Sequence, residues 1–353
     1  MNIKAFKYLS PITFYILAYV SFTVTGWWVW ATVVYAFAII PLLELCIKPN
    51  EKNMEQAQEE VAKKDRVYDY MLYVFVLLQF VALYYFLNSF IVVPIVSTFA
   101  IVGRVLTMGL LCGIFGINVA HELGHRNNIF EQNLAKAALL TSLYIHFFIE
   151  HNKGHHKNVA TPSDPSSARL NEPVYTFYFR TIIFSYISAW HIANDEMKKK
   201  GKPVFSLANE MLQAHIIQLM FVMVIYFVYG STIMGYFLLA ALLGILLLET
   251  VNYIEHYGLQ RKQTAHGKFE RALPNHSWNS SHIIGRIMLF ELSRHSDHHY
   301  LASKKYQILQ HHSHAPQLPT GYPGSMLLAM VPPIWFYIMN KKIKKMQSQQ
   351  VII

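Results

Sequence analysis

The chain has 353 residues, of which 54% are hydrophobic and only 14% are charged, and its formal net charge is +10. Soluble domains carry roughly 25% charged residues, so this composition excludes an ordinary soluble enzyme and predicts an integral membrane protein. The basic charge is not gathered into a separate soluble domain, so we expect no nucleic-acid partner.

Six apolar runs follow in chain order, each long enough to cross a bilayer, which takes about 20 mostly apolar residues as helix. They lie near residues 8–25, 27–47, 68–90, 92–119, 211–229 and 233–252. The turns near Gly26, Asn88-Ser89 and Gly230-Ser231 contain no Lys or Arg. The sequence therefore predicts an all-α, polytopic membrane protein with six transmembrane helices, in which residues 1–353 form a single membrane-embedded domain.

Basic residues are concentrated in the other connections. Segment 48–67 contains Lys48, Lys52, Lys63, Lys64 and Arg66, and residues 120–210 and 257–350 are basic throughout. Positively charged loops stay in the cytoplasm, so we expect both termini and every large loop on that side. The histidine-bearing regions 120–205 and 253–325 would then form a cytoplasmic helical cap.

A short motif, His121-Glu122-Leu123-Gly124-His125, follows the fourth apolar run. This is the letter pattern of a zinc metalloprotease helix, where two imidazoles four residues apart grip one metal and the glutamate activates water. Any metal held by a helical histidine pair needs the same spacing, however. The motif alone leaves the reaction open.

Three further histidine groups follow, so the chain offers more ligands than one metal takes. They occur in "EHNKGHH", "NYIEHYGL" and "SRHSDHH" and contain His151, His155, His156, His256, His295, His298 and His299. The spacings of three or four residues place imidazoles on one helical face. A tetrahedral site takes four ligands, so nine histidines imply two metals. Imidazole suits zinc, copper, iron and nickel, and redox chemistry favours iron.

The remaining histidines and the two cysteines are not expected to bind metal. The histidines left outside the metal set are His146, His191, His215, His266, His276, His282, His311, His312 and His314. Cys46 and Cys112 both fall in predicted membrane helices and are too few for an iron–sulfur ligand set. Electrons for any redox reaction must therefore come from another protein.

Five stretches carry a family resemblance: "HELGHR", "EHNKGHHKNVATPSDP", "NYIEHYGL", "RHSDHH" and the tail "APQLPTGYPG". Together they closely resemble the integral-membrane alkane 1-monooxygenases, within the fatty acid desaturase and membrane hydroxylase superfamily. The resemblance implies hydroxylation of the terminal carbon of n-alkanes with O2. It also implies a non-haem di-iron centre of two iron ions, rubredoxin as electron donor with a rubredoxin reductase upstream, and a place in the bacterial inner membrane with the active site facing the cytoplasm.

The ligands implied by the resemblance are the histidines of the four groups, namely His121, His125, His151, His155, His156, His256, His295, His298 and His299. Departures from the family pattern are small. Arg126 stands where a lysine is more usual, and "LSRHSDHHY" replaces the commoner "LQRHSDHHA". Neither departure removes a ligand.

Five carboxylates are candidates to orient the ligand rings, because a metal-bound imidazole commonly donates its second nitrogen to such a group. They are Glu150, Glu249, Glu255, Glu291 and Asp297. An alkane offers no polar handle, so its binding rests on burying methylenes at about 0.8 kcal/mol each. Trp27, Trp28 and Trp30 are either interfacial anchors or a steric gauge of chain length. Arg104, inside the fourth run, is expected to have a partner or to extend to an interface.

Other reaction classes remain open at this point. A membrane desaturase or a xylene-type methyl hydroxylase uses similar metal chemistry. An intramembrane zinc protease is a distant alternative, because it needs only one metal and a third ligand. A metal transporter is not favoured, since its histidines would line a path through the bilayer, whereas these are expected at one membrane surface.

Overall fold

A computed structural model describes residues 3–93 and 97–350 of the chain, so residues 94–96 of the fourth predicted run lie outside the described residues. The α-helices are Ile12–Thr23, Ala31–Val34, Ile40–Cys46, Gln56–Lys64, Val67–Val92, Thr98–Leu111, Asn118–Gly124, Ile129–Leu140, Phe147–Glu150, His156–Asn158, Val174–Lys199, Glu210–His256, Ile283–Met288, His295–Tyr300, Tyr322–Ala329 and Pro332–Gln350. Short 3-10 helices occupy Ile3–Leu9, Gly26–Trp30, Pro274–His276 and Tyr306–Ile308, and π-helical turns occupy Tyr35–Ile39, Cys112–Ile117 and His151–His155. Between the described residues only isolated β-bridges occur, so the all-α prediction is confirmed.

Four helices of the described chain are long and apolar enough to cross a membrane: Gly26–Cys46, Val67–Val92, Thr98–Gly124 and Glu210–His256. A fifth candidate is the pair Tyr322–Ala329 and Pro332–Ser348, which is bent by 119°. The first predicted run corresponds to a helix of only 12 residues, Ile12–Thr23, shorter than the roughly 20 residues that a span needs. The expected count of six spans therefore stays a prediction.

The longest helix, Glu210–His256, is interrupted where the sequence predicted a turn. Gly230 has φ +80° and ψ 171°, a conformation that glycine adopts more readily than other residues, and it divides the 47 residues into two helical stretches. These stretches correspond to the fifth and sixth predicted runs. Of the most apolar 18-residue stretch of this helix, only 28% is buried within the protein. The exposed apolar side chains are the expected lining of a lipid-facing surface.

The chain divides into two compact units, and the first comprises Met1–Ala38, Asp65–Lys153 and Tyr186–Leu248. Within it, the helices Thr98–Gly124 and Glu210–His256 approach closely through small residues. A Cβ atom added to Gly244 would lie 2.5 Å from the Cβ of Cys112, and one added to Gly113 would lie 3.0 Å from the Cβ of Leu247. Such small residues let membrane helices pack with their backbones close together.

Arg104 also lies in the first unit and is fully buried. Its Nη1 donates to the Ser89 carbonyl at 2.8 Å, and its Nη2 lies 3.5 Å from the Val24 carbonyl. These carbonyls lie at or near the C-terminal ends of two helices, where backbone acceptors lack intrahelical donors. The hydrogen-bond partners of Arg104 are therefore backbone carbonyls at helix ends. Trp27 and Trp28, by contrast, are 82% and 66% exposed, as interfacial anchors would be.

The second unit comprises Ile39–Lys64, Gly154–Ser185 and Glu249–Ile353. Its helices are joined by long irregular segments that are held by buried polar contacts. Arg180, for example, binds Glu172 at 2.7 Å and donates to the carbonyls of Pro165 and Ser167 at 2.8 and 2.9 Å. The interpretation of residues 1–353 as one domain stays a prediction.

Candidate metal centre

A cluster of three histidines, His121, His125 and His151, lies in the first unit. The ring centroid of His121 is 4.9 Å from that of His125 and 4.5 Å from that of His151, and the last two are 5.2 Å apart. His121 lies in the last turn of Asn118–Gly124, and His125 caps that helix. The predicted pairing of His121 with His125 four residues later is therefore present, and His151 joins it from another helix.

Charged groups lie next in sequence to His121 and His125. Arg126 donates to the Glu122 carboxylate at 2.6 Å and lies 3.6 Å from Asp69. Phe147 stacks on His151, with ring centroids 4.7 Å apart. In a zinc protease the glutamate of this motif would be directed at water, whereas here Glu122 is ion-paired with arginine. This pairing does not favour the protease reading.

A second cluster, the four-histidine cluster, lies entirely in the second unit. It consists of His155, His256, His295 and His299, all buried, and each offers a ring nitrogen within 4.8 Å of the others. The Nε2 atoms of His256 and His295 are 3.2 Å apart. Metal–nitrogen bonds of roughly 2.0–2.1 Å put tetrahedral ligand atoms about 3.4 Å from each other. The cluster therefore has the dimensions of a site for one transition-metal ion.

His299 tests whether a metal fits the four-histidine cluster. Both of its ring nitrogens are buried, and neither has a hydrogen-bond partner among the described residues. Burial lowers the pKa of His299 well below its usual value, and the neighbouring histidines lower it further. A buried, neutral imidazole without hydrogen bonds is costly unless it binds a metal. The donor set therefore fits a metal that prefers imidazole nitrogen.

The last two predicted ligands, His156 and His298, are close to each other in the second unit, with 3.1 Å between their Nε2 atoms. His151 and His155 had been placed on one helical face by their spacing of four residues. The structure instead assigns His151 to the three-histidine cluster and His155 to the four-histidine cluster. The segment between them is the π-helical turn His151–His155, whose hydrogen bonds join residues five apart, so the α-helix assumed from the spacing is absent there.

Among the five candidate carboxylates, Glu255 contacts a ligand ring. Its Oε2 is 3.2 Å from Nε2 of His295, and its Oε1 accepts a hydrogen bond from the Tyr322 hydroxyl at 2.7 Å. Asp297 lies against other groups, accepting from His312 at 2.7 Å and from Lys304 at 2.8 Å. Proximity in sequence to a ligand thus identified Glu255, which touches a cluster histidine.

The other three candidates are also buried. Glu249 accepts hydrogen bonds from Thr181 and Asn252 at 2.8 and 3.1 Å. Glu291 is ion-paired with Arg286 at 2.6 Å, and Glu150 lies 3.4 Å from the Ser188 hydroxyl. Whether any of these three orients a ligand stays a prediction.

Asp164 is a buried carboxylate that the sequence analysis did not single out. Its Oδ2 lies 2.9 Å from Nδ1 of His155 and accepts from the Ser167 hydroxyl at 2.6 Å, and its Oδ1 accepts from the Ser166 amide at 3.1 Å. Burial alone would raise the Asp164 pKa, but the neighbouring His155 and the hydrogen bond from Ser167 outweigh it and lower the pKa. The available signal was its place in "ATPSDP", nine residues after His155.

Comparisons with known proteins agree with this geometry. The family model described as Fatty acid desaturase matches residues 97–326. The alkane 1-monooxygenase of Pseudomonas putida is 37% identical over 322 residues, which cover 90% of this chain and 79% of that protein. The alkane 1-monooxygenase of Acinetobacter baylyi is 38% identical over 308 residues, 86% of this chain and 74% of that protein.

A more distant relative is the xylene/toluene monooxygenase hydroxylase component of Pseudomonas putida, which is 27% identical over 246 residues, 68% of this chain and 64% of that protein. The resemblance seen in the histidine motifs and the tail is thus confirmed over most of the chain. The chain belongs to the integral-membrane alkane 1-monooxygenase family, within the fatty acid desaturase superfamily.

Proposed function

We propose that the chain is an alkane 1-monooxygenase that inserts one atom of O2 into a terminal C–H bond of an n-alkane and yields a 1-alkanol. The second oxygen atom leaves as water, which requires two electrons and two protons per turnover. The observation that carries this proposal is the four-histidine cluster, in a chain whose relatives are named for the same reaction. Buried neutral imidazoles are suited to hold a redox metal.

We further propose that the nine histidines of the predicted set hold two iron ions. One is assigned to the four-histidine cluster, and the other takes ligands from the three-histidine cluster. His156 and His298 complete the set implied by the family resemblance. When bound, the irons supply the reduction of O2 and the oxidation of the C–H bond. Asp164 accepts from Nδ1 of His155 and so orients that ring, whereas Glu255 lies beside Nε2 of His295, the nitrogen that faces His256.

The location in the cell is part of the proposal. Four apolar helices long enough to cross a bilayer support a multi-pass protein of the bacterial inner membrane. The basic segments 48–67, 120–210 and 257–350 support a cytoplasmic position for both termini and for the histidines. An active site on that side would be accessible to rubredoxin, which we propose as the electron donor, with its reductase upstream. The alkane would enter from the bilayer.

Substrate selection should depend mainly on shape. Each methylene contributes about 0.8 kcal/mol on burial, and neighbouring chain lengths differ by only about 1–3 kcal/mol in a hydrophobic pocket. A ladder of alkanes should therefore give a broad profile that ends where the chain no longer fits.

The test is a product assay with membranes that contain the chain. Rubredoxin, rubredoxin reductase, NADH and alkanes of increasing length are added, and alcohols are separated by gas chromatography. We expect 1-alkanols rather than 2-alkanols. His155→Ala should abolish the product, whereas His191→Ala, which removes an exposed histidine outside the clusters, should retain it. Iron-loaded protein that yields no alcohol from any alkane would contradict the proposed substrate.

A second candidate, hydroxylation of methyl groups on aromatic rings, is favoured by the xylene/toluene relative. The two functions differ in which substrate shows the higher kcat/KM. The same membranes assayed with xylene and with an alkane distinguish them, because the products are a methylbenzyl alcohol and a 1-alkanol. A fatty acyl substrate in the same assay tests the desaturase alternative through formation of a double bond.

A further inference from the structure

The tail "APQLPTGYPG", residues 315–324, marks the family resemblance, but the metal ligands account for none of it. In the second unit this tail pairs with the segment around Asn279. The backbone N–H of Asn279 donates to the backbone carbonyl of Pro316 at 2.8 Å, and the backbone N–H of Leu318 donates to the backbone carbonyl of Asn279 at 2.8 Å. Asn279 and Gln317 thus form an isolated parallel bridge. The tail is therefore held by its backbone at a defined place.

Asn279 also binds the helix that carries three of the predicted ligands. Its Oδ1 accepts from the Ser296 amide at 2.8 Å, one residue after His295. Both Asn279 and Ser296 are buried, so this hydrogen bond is protected from water. One side chain therefore connects the tail to the start of the helix His295–Tyr300.

The second connection from the tail is made by Tyr322. Its hydroxyl donates to Oε1 of Glu255 at 2.7 Å, and the other oxygen of Glu255 lies 3.2 Å from Nε2 of His295. Tyr322 and Glu255 are each 1% exposed. A buried carboxylate with one oxygen anchored cannot turn freely about its terminal bond. The phenol therefore fixes the orientation in which the carboxylate of Glu255 faces His295.

Close packing of Gly321 against Glu44 places the neighbouring Tyr322 in this position. The neighbouring Gly321 packs directly against the Glu44 carboxylate, where an added Cβ would overlap both carboxylate oxygens. Glu44 in turn accepts from the Gly285 amide at 2.9 Å. The absence of a side chain at Gly321 thus lets the tail pass this buried acid and begin the helix Tyr322–Ala329.

We propose that Tyr322 is a positioning residue for the metal centre and that the tail as a whole is a brace for the four-histidine cluster. Tyr322 acts through Glu255, whose Oε2 lies beside Nε2 of His295, the same nitrogen that faces His256, so that Glu255 borders the metal position itself. Outer partners of this kind typically contribute 10–100-fold to metal affinity. The inference rests on the proposed function, because it assumes that the cluster holds a metal.

The test compares Tyr322→Phe with Tyr253→Phe, a matched control in the same unit. Tyr253 is also fully buried, but its hydroxyl donates to the Glu172 carbonyl at 2.6 Å. Both proteins are purified in detergent, loaded with ferrous iron and titrated with a chelator. We expect Tyr322→Phe to lose 10–100-fold in affinity for one of its irons and to change the Mössbauer spectrum of that iron. Tyr253→Phe should retain the parent affinity and spectrum, with a similar thermal midpoint.

A double variant tests whether Tyr322 acts through Glu255. Glu255→Gln should weaken iron binding by itself, and adding Tyr322→Phe should change the affinity by less than threefold more. Glu255→Gln also tests the contact if Tyr322→Phe does not accumulate in membranes. Losses that multiply would overturn the inference, as would an unchanged affinity and spectrum in Tyr322→Phe. A parent protein that binds no iron would overturn the proposed function together with this inference, whereas a loaded parent with a normal Tyr322→Phe would overturn this inference alone.

Discussion

Replacing Asp164 by Asn isolates the charge that supports His155. The change keeps the size of the side chain but puts an uncharged amide 2.9 Å from Nδ1 of His155. The amide nitrogen is a donor, so in the place of Oδ2 it would face both His155 and the Ser167 hydroxyl, and in the place of Oδ1 it would face the Ser166 amide. The imidazole would then lose its negatively charged acceptor, which makes its other nitrogen a weaker ligand.

The expected size of the effect follows from the buried position of Asp164, which is 2% exposed. Solvent does not screen this contact, so the loss should lie within the 10–100-fold range in metal affinity that is typical of such partners. This corresponds to about 1.4–2.7 kcal/mol of binding free energy. The assay is a competition between the purified protein and a chelator of known affinity, with bound iron measured by elemental analysis.

Asp297→Asn is the matched control. Asp297 is equally buried and is also bonded to a histidine, but that residue is His312, outside both clusters. Metal affinity should change by less than threefold in this variant. Equal losses in Asp164→Asn and Asp297→Asn would refute the reasoning, because the effect would then come from general destabilisation. Full affinity in Asp164→Asn would refute it as well.

Three other predictions concern stability. Gly244→Ala should lower the thermal midpoint, because its Cβ would lie 2.5 Å from that of Cys112 and overpacking costs about 1–3 kcal/mol. Gly235→Ala, in the same helix but with open space around the added Cβ, should leave the midpoint unchanged. Burial lowers the pKa of His146 to about 3, so the folded state binds fewer protons than the unfolded state below pH 6.5. The free energy of unfolding should therefore fall as the pH drops below about 6.5, by about 1.4 kcal/mol per pH unit. A thermal midpoint of the metal-free protein that is independent of pH between 7 and 5, or a slope unaffected by His146→Gln, would contradict this assignment. Removing the metal with a chelator should lower the thermal midpoint, since a ligand at 100 times its Kd stabilises the folded state by about 2.7 kcal/mol. The control variant His191→Ala should show the same decrease as the parent protein.

The sequence was most informative where ligands follow regular helical spacing. His121 and His125 are neighbours as their spacing predicts, and so are His295 and His299. The same reasoning separates Asp297 from the ring of His295, because two residues along an α-helix correspond to about 200° around its axis. Being close in sequence to a ligand therefore did not place this carboxylate beside one.

The remaining features depend on contacts that no local pattern encodes. Asp164 reaches His155 through an irregular segment, and Glu255 is anchored by Tyr322 from far along the chain. Arg104 is stabilised by carbonyls at helix ends, which have no signature in the sequence. Such partners are fixed by tertiary packing, which periodicity cannot predict.

The π-helical turn Cys112–Ile117 has a consequence for how this chain tolerates changes in length. A π turn holds one residue more than the α-helix around it, and the following motif begins only a few residues later. Deleting a single residue there would restore regular winding and leave the direction of His121 and His125 nearly unchanged, because five residues of a π-helix turn through about the same angle as four residues of an α-helix. The π turn thus contains one residue that the helix could lose without misdirecting the two ligands that follow it.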